Sequence, residues 1–196
     1  ITIFEKEVVI RDEKNNTIQS DFAEYNKKLS VINLRNNVIA KDAQGNIFQS
    51  NNATYNEKLK LFESIGATKI TTSEGTIVNT ADIILNNAQN TVFSENVTSI
   101  EDFQNNKILL NNFEYQANKN IFKSVGNIKV IDNSKNTYEF SQIYINEKSR
   151  EIVGTDAKLY LNQKDFKLNK NNKPRIFSNT INISDNESKF IKSSFT

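Results

Sequence analysis

The chain has 196 residues, with 25 Lys and Arg against 23 Asp and Glu, a net charge of +2, no Cys and no His. This composition excludes thiolate and imidazole chemistry, disulfides and Cys/His zinc sites, so neither a cofactor nor a metal centre is expected. The small net charge and the lack of a basic stripe argue against nucleic acid as a partner, and no apolar run approaches the ~18 residues of a membrane-crossing helix.

Residues 1–11 open the chain inside a strand-like pattern, and no signal peptide precedes them, so a mature or trimmed piece is expected. From residue 8 onward a 30-residue period runs five times without slippage, over 8–37, 38–67, 68–97, 98–127 and 128–157. One column reads Ile18, Phe48, Val78, Ile108, Tyr138. A second reads Tyr25, Tyr55, Leu85, Tyr115, Ile145, and a third reads Ile32, Phe62, Val92, Phe122, Ile152. Ala23, Ala53, Ile83, Phe113 and Ile143 form another, and Asn or Gln fills positions 26, 56, 86, 116 and 146. A fixed period of this size marks a stack of repeated units.

Within each unit the segments are short and alternating, rich in Ile, Val, Thr, Phe and Tyr, and punctuated by Gly, Asn and Asp. Strands with turns fit that pattern. The step from the column at 20 to the column at 23 is odd, so side chains would change face unless a bulge at 21–22 restores them. A bulged strand is therefore predicted over about 17–25. The Asn at 26 suits a tight turn through its tolerance of positive φ. A longer strand follows over roughly 29–41, bent near 36–37, 66, 96 and 126–127. One such hairpin has too few apolar side chains to offset the entropy of ordering it, so units must stack and their columns merge into apolar stripes.

The period decays after Leu161. Residues 162–173 are polar and read as a loop, and 174–183 and 188–195 read as two closing strands. The domain reading is thus 1–161 for the repeats and 162–196 for the loop and closing strands. The fold class is all-β: a twisted β-jellyroll, or open two-sheet stack of antiparallel hairpins.

If the facing layers splay, the three stripes at 18, 25 and 32 and their repeats line an apolar trough suited to an elongated apolar ligand. Turn positions such as Glu57 and Lys148 are expected outside it. The carboxylate column Asp12, Asp42, Asp102 and Asp132 falls at turns after strands, where capping explains it. No carboxylate pair is placed beside a Ser or Lys in a catalytic pattern, and no enzyme is expected. Residues 1–11 form an edge strand without a preceding partner, and Phe4, Val8, Val9 and Ile10 mark it as a docking edge.

Asn46-Ile47-Phe48-Gln49-Ser50, Ala53-Thr54-Tyr55-Asn56, Leu61-Phe62 and Gly66-Ala67 together resemble the repeat of OstA-type domains. So do Asn112-Phe113-Glu114-Tyr115 and Ile121-Phe122-Lys123-Ser124-Val125-Gly126-Asn127-Ile128. Such domains build the β-jellyroll of the lipopolysaccharide-transport family, found in LptA, in LptC and in the N-terminal periplasmic domain of LptD. The resemblance covers residues 8–160. Pro174-Arg175-Ile176-Phe177 and the ending Ser193-Ser194-Phe195-Thr196 are most similar to the junction that precedes the membrane barrel in LptD. Leu85 in place of Tyr and Asp156 in place of Gly depart from the pattern.

The resemblance implies a periplasmic lipopolysaccharide-transport module at the outer membrane of a Gram-negative cell. Its trough would shield lipid A acyl chains and pass them toward the barrel. The implied partners are lipopolysaccharide, an LptA-like bridge protein at the N-terminal edge, a barrel in the same chain beyond Thr196, and the outer-membrane lipoprotein partner of that barrel. Two alternatives stay open: a free-standing LptA-like bridge protein, and a structural β-solenoid or adhesin segment with a dry core.

Overall fold

A computed structural model describes residues 1–162, 174–184 and 186–196. They form two compact units, Ile1–Asn96 and Val97–Thr196. All the regular structure is β-strand, and every pairing given below is antiparallel, as the alternating pattern predicts. Past Asn162 the expected loop lies outside the described residues.

The first unit contains β1 (Thr2–Arg11), β2 (Thr17–Asn26), β3 (Val31–Lys41), β4 (Ile47–Asn56), β5 (Leu61–Thr71), β6 (Ile77–Ala81), β7 (Ile84–Asn86) and β8 (Thr91–Ser94). β1 to β5 pair in sequence order. The predicted bulges are present. The ladder shifts register between Gln19 and Phe22 on β2, and between Arg35 and Val38 on β3. Asn36 and Asn37 take left-handed φ values of 60° and 51°, and Gly66 takes 81°. Each bulge folds its strand, so the unit has two arms. The first arm holds residues such as 17–20, 38–41, 47–50 and 68–71, and the second holds 22–26, 31–35, 52–56 and 61–65. Because β2 to β5 run through both arms, the two layers belong to one folded sheet.

At the third repeat the bulged strand breaks in two. Residues 67–71 of β5 pair with β6, and 61–63 pair with β7. Between β6 and β7, Asp82 adopts φ 48°. Its carboxylate accepts from the Gly66 N–H at 2.7 Å, its N–H donates to the Gly66 carbonyl at 3.1 Å, and the Ile83 N–H donates to Ser64 Oγ at 2.9 Å. Side chains there replace ladder bonds, which satisfies the buried backbone while ending the strand.

The second unit contains β9 (Thr98–Glu101), β10 (Lys107–Leu110), β11 (Phe113–Gln116), β12 (Ile121–Ile131), β13 (Thr137–Asn146), β14 (Glu151–Tyr160), β15 (Arg175–Ile183) and β16 (Ser188–Phe195). β12 plays the part of β5: residues 129–131 pair in the ladder with β10, and 121–123 with β11. The closing strands follow β14 in order, with Leu159 opposite Ile176 and Ile176 opposite Phe195.

The turns carry a repeated hydrogen-bond device. Asp42 accepts from the Asn46 backbone N–H at 2.8 Å and from Asn46 Nδ2 at 2.7 Å, and Asn46 Oδ1 accepts from the Ser73 N–H, one repeat on, at 3.0 Å. Asp12 with Asn16, Asp102 with Asn106, and Asp132 with Asn136 repeat it. The aspartate column therefore caps turns, as expected. At the opposite turns the reason for Asn differs from expectation. Positive φ falls on Ser30, Lys60, Asn90, Asn120 and Arg150. The Asn side chains instead accept turn N–H groups, as Asn56 Oδ1 does from Lys58 and Leu59.

Candidate functional site

The side chains nearest the bulges are the most deeply buried. Ala23, Leu34, Val38 and Ala53 are each 1% exposed, and Ile83, Leu110, Ile128 and Ile181 lie at 2% or less. These residues form the seam where the two arms meet. In the second unit the seam interlocks: a Cβ placed on Gly154 would lie 2.5 Å from Cδ1 of the Phe140 ring. The column of Leu34, Ser64, Ser94, Ser124 and Gly154 shrinks as that of Ser20, Ser50, Thr80, Leu110 and Phe140 grows. Close packing requires such compensation.

The three predicted stripes lie one step farther from the bulges. In the first arm, Ile18 faces Ala40, Ala40 faces Phe48, Phe48 faces Ile70, and Ile70 faces Val78. In the second arm the ladder runs Tyr25, Ile32, Tyr55, Phe62, Leu85, Val92. The second unit repeats both. Ile108 pairs with Val130 and Val130 with Tyr138, while Tyr115, Phe122, Ile145 and Ile152 pair in turn. Ile32 and Phe62 are buried. Ile18, Phe48, Val78, Ile108, Tyr138, Tyr25, Tyr55, Leu85, Tyr115, Ile145, Val92, Phe122 and Ile152 are all half-buried. Within each unit the stripes are thus continuous, apolar and still partly exposed.

In the first unit the arms face each other across this space. Phe48 of the first arm meets Phe62 of the second edge to face. Ile10, Ile18 and Phe48 pack on the same cluster as Ile32, Leu34 and Phe62. A cavity of about 330 Å³ opens at the N-terminal end, lined by Phe4, Val8, Val9, Ile10, Ala23, Tyr25, Ile32 and Glu57. All four residues of the predicted docking edge therefore line this cavity. Among the described residues β1 pairs with β2 alone, and Phe4 and Val9 are about half exposed, at 48% and 56%. The register places Phe4 opposite Ala23 and Ile10 opposite Ile18, which continues both arms outward.

Glu57 corrects one expectation, because it lies at the cavity and not apart from it. Its Oε2 accepts from the Tyr25 hydroxyl at 3.0 Å, and Glu147 accepts from Tyr115 at 2.9 Å in the second unit. The hydrogen bond to Glu57 pushes the Tyr25 hydroxyl pKa up, and desolvation adds to the shift. Each tyrosine keeps its ring in the apolar space and its hydroxyl at the rim. The spacing of 32 residues between Tyr and Glu was present in the sequence but only the stacked turns give it meaning. Burial, followed by the bond to Asp132, pushes Tyr138 up to about 12.

No group of three or more His, Cys, Asp or Glu among the described residues could hold a metal ion. The buried hydroxyls of the seam are consumed in structural bonds, such as Thr68 Oγ1 to Ser64 Oγ at 2.7 Å and Ser94 Oγ to the Ala81 carbonyl at 2.8 Å. The arrangement is suited to holding apolar chains along a groove.

Residues 1–102 match the family model described as lipopolysaccharide-assembly, LptC-related. No curated protein matches the chain. Among solved structures, the chain is similar to LptH, the LptA homologous periplasmic component of the conserved lipopolysaccharide transport device from Pseudomonas aeruginosa. That likeness has a TM-score of 0.32 at 15% identity and covers 73% of this chain and 83% of the other.

Proposed function

The chain belongs to the LptC-related lipopolysaccharide-assembly family, and from that premise we propose that its trough shields the acyl chains of lipopolysaccharide during passage across the periplasm. The family serves lipopolysaccharide assembly, and the protein is not an enzyme. The observation that carries the reading is the pair of apolar ladders, mostly half-buried, that face each other in the first unit and border the cavity at its N-terminal end. An amphiphile of this kind needs its chains out of water and its sugars in water. A groove with a dry seam, apolar walls and polar rims supplies both.

The finer placement is that of an N-terminal periplasmic domain handing lipid to an outer-membrane barrel. The resemblance of Pro174-Arg175-Ile176-Phe177 and Ser193-Ser194-Phe195-Thr196 to the junction before the LptD barrel supports it. A free-standing bridge component is the second reading, favoured by the family match over residues 1–102. Sequencing the gene past Thr196 separates the two: barrel-type strands support the first, and a stop codon rules it out. The open edge of β1 is the proposed docking site for an LptA-like bridge protein, by addition of a strand that extends the trough.

Photo-crosslinking in cells tests the trough. A probe at Phe48, Phe62 or Phe122 should capture lipopolysaccharide, and a probe at Lys135, in a turn of the other rim, should not. Glu57, which lines the cavity, and Lys148, in the same repeat column as Lys58 beside it, are not control positions. Equal capture at Lys135 and at the three phenylalanines would remove the trough from the account.

A further inference from the structure

The two rims of the trough differ in charge. In the first unit the second-arm turns are 27–30, 57–60 and 87–90. They carry Lys27, Lys28, Lys58 and Lys60 against Glu57 alone, a net +3. The first-arm turns 12–16, 42–46 and 72–76 carry Asp12, Glu13, Asp42 and Glu74 against Lys14, a net −3. Arg11 and Lys41, at the strand ends beside those turns, bring that rim to −1 and leave the asymmetry in place. The second unit, taken by itself, has the same polarity. Lys119, Lys148 and Arg150 against Glu147 give +2, and Asp102 and Asp132 against Lys135 give −1.

The cationic turns also carry exposed apolar tips. Leu29 is 58% exposed and Leu59 is 61% exposed. The two turns stack directly, since the Glu57 N–H donates to the Ser30 carbonyl at 2.9 Å. Lys27, Lys28, Leu29, Lys58, Leu59 and Lys60 therefore form one surface. It adjoins the cavity, because Glu57 of the second turn lines that cavity and accepts from the hydroxyl of Tyr25, which lines it too. The single acid of this lip is engaged with the Tyr25 hydroxyl.

We propose that turns 27–30 and 57–60 form a cationic, leucine-tipped lip that holds the phosphorylated headgroup of the lipid whose acyl chains lie in the adjoining cavity. Lysine ammonium groups bind phosphate as point charges, and apolar tips between them favour the boundary between headgroup and acyl chain. The opposite rim would repel the same phosphates. The lipid is thereby turned in one sense about the long axis of the trough, a property that apolar walls alone do not give. This inference rests on the acyl-chain reading of the trough.

The test measures binding of diphosphoryl lipid A, and of the same lipid with both phosphates removed, to three forms of the protein. These are the wild type, K28E/K58E on the cationic lip and K14E/K41E on the opposite rim. K28E/K58E should weaken binding of the phosphorylated lipid about tenfold at low salt and leave the dephosphorylated lipid unchanged. K14E/K41E should leave both within about twofold, and K28Q/K58Q should give an intermediate loss. Equal wild-type affinity for the two lipids, or equal losses in the two glutamate variants, would overturn the lip while leaving the trough intact. Failure of both lipids to bind the wild type would overturn the trough reading and the lip together. Saturable binding of inorganic phosphate alone, abolished by K28E/K58E, would make the lip a free-phosphate site and overturn its assignment to a lipid.

Discussion

Phe48 and Phe62 meet edge to face with ring centroids 5.4 Å apart and planes at 88°, one ring from each arm of the folded sheet. They stand on neighbouring strands but in different halves of them, so only the fold at the bulges brings them together. Phe62 is 4% exposed, whereas Phe48 keeps part of its surface open to the trough. Phe62→Ala should therefore cost about 3–4 kcal/mol by denaturant unfolding, and Phe48→Ala clearly less. The reverse order would mean that Phe62 is not the member set in the core.

The proposed docking edge of β1 is tested with proline. Val8 lies opposite Ser20 and Val9 opposite Gln19, beyond a bulge with Lys6 and Glu7 at positive φ. Successive backbone N–H groups face opposite sides of a strand, so one of Val8→Pro and Val9→Pro removes an outward donor and the other disturbs the ladder with β2. One variant should lose binding to an LptA-like bridge protein in a pull-down with its melting temperature nearly unchanged. If both retain binding, the edge is not the docking surface.

Gly154→Ala should destabilise the second unit by about 1–3 kcal/mol, because the added methyl meets the Phe140 ring rather than open space. Adding Phe140→Leu should restore part of the loss. A melting temperature unaffected by Gly154→Ala alone would show that the ring moves aside at little cost.

Tyr138 gives stability a dependence on alkaline pH. Its folded pKa of about 12 stands above the ordinary tyrosine value of 10.0, so the folded state holds the phenolic proton more tightly than the unfolded chain. That stabilisation is complete below pH 10 and is lost as pH rises from 10 toward 12. Tyr138→Phe should flatten this part of the stability profile. An unchanged slope in the variant would assign the alkaline loss to other groups.

The turn ladder predicts a local effect in the first unit. Asn46→Ala removes a bond to Asp42 and the acceptor for the Ser73 N–H, and should cost about 1–2 kcal/mol. Asn46→Asp retains the acceptor but sets a second carboxylate against Asp42. It should be the worse of the two at neutral pH and improve below pH 4, read as melting temperature against pH.

The repeat, the bulge at 21–22 and the bends near 36–37, 66 and 126–127 were legible in the sequence; near 96 the expected bend is instead a break, with β8 ending at Ser94 and β9 starting at Thr98. The alternation that sets Ile18 and Phe48, or Tyr25 and Phe62, in line along one ladder was legible too. Strand alternation is local, and one odd step between two apolar columns requires an extra residue wherever it occurs. What the period could not decide was depth. Leu34 and Val38 sit at the closed seam and Ile18 and Tyr25 at the open wall, yet all four occupy inward positions on their strands. Distance from the bulge separates them, and it matters only once one arm lies over the other. The same holds for Tyr25 with Glu57, and for Asn46 with the Ser73 N–H. These partners are 32 and 27 residues apart and become neighbours only when turns stack. Local pattern fixed which face each side chain takes. Packing between arms and between repeats, a long-range property, decided which faces are dry, which stay open, and where the charge on each rim falls relative to the cavity.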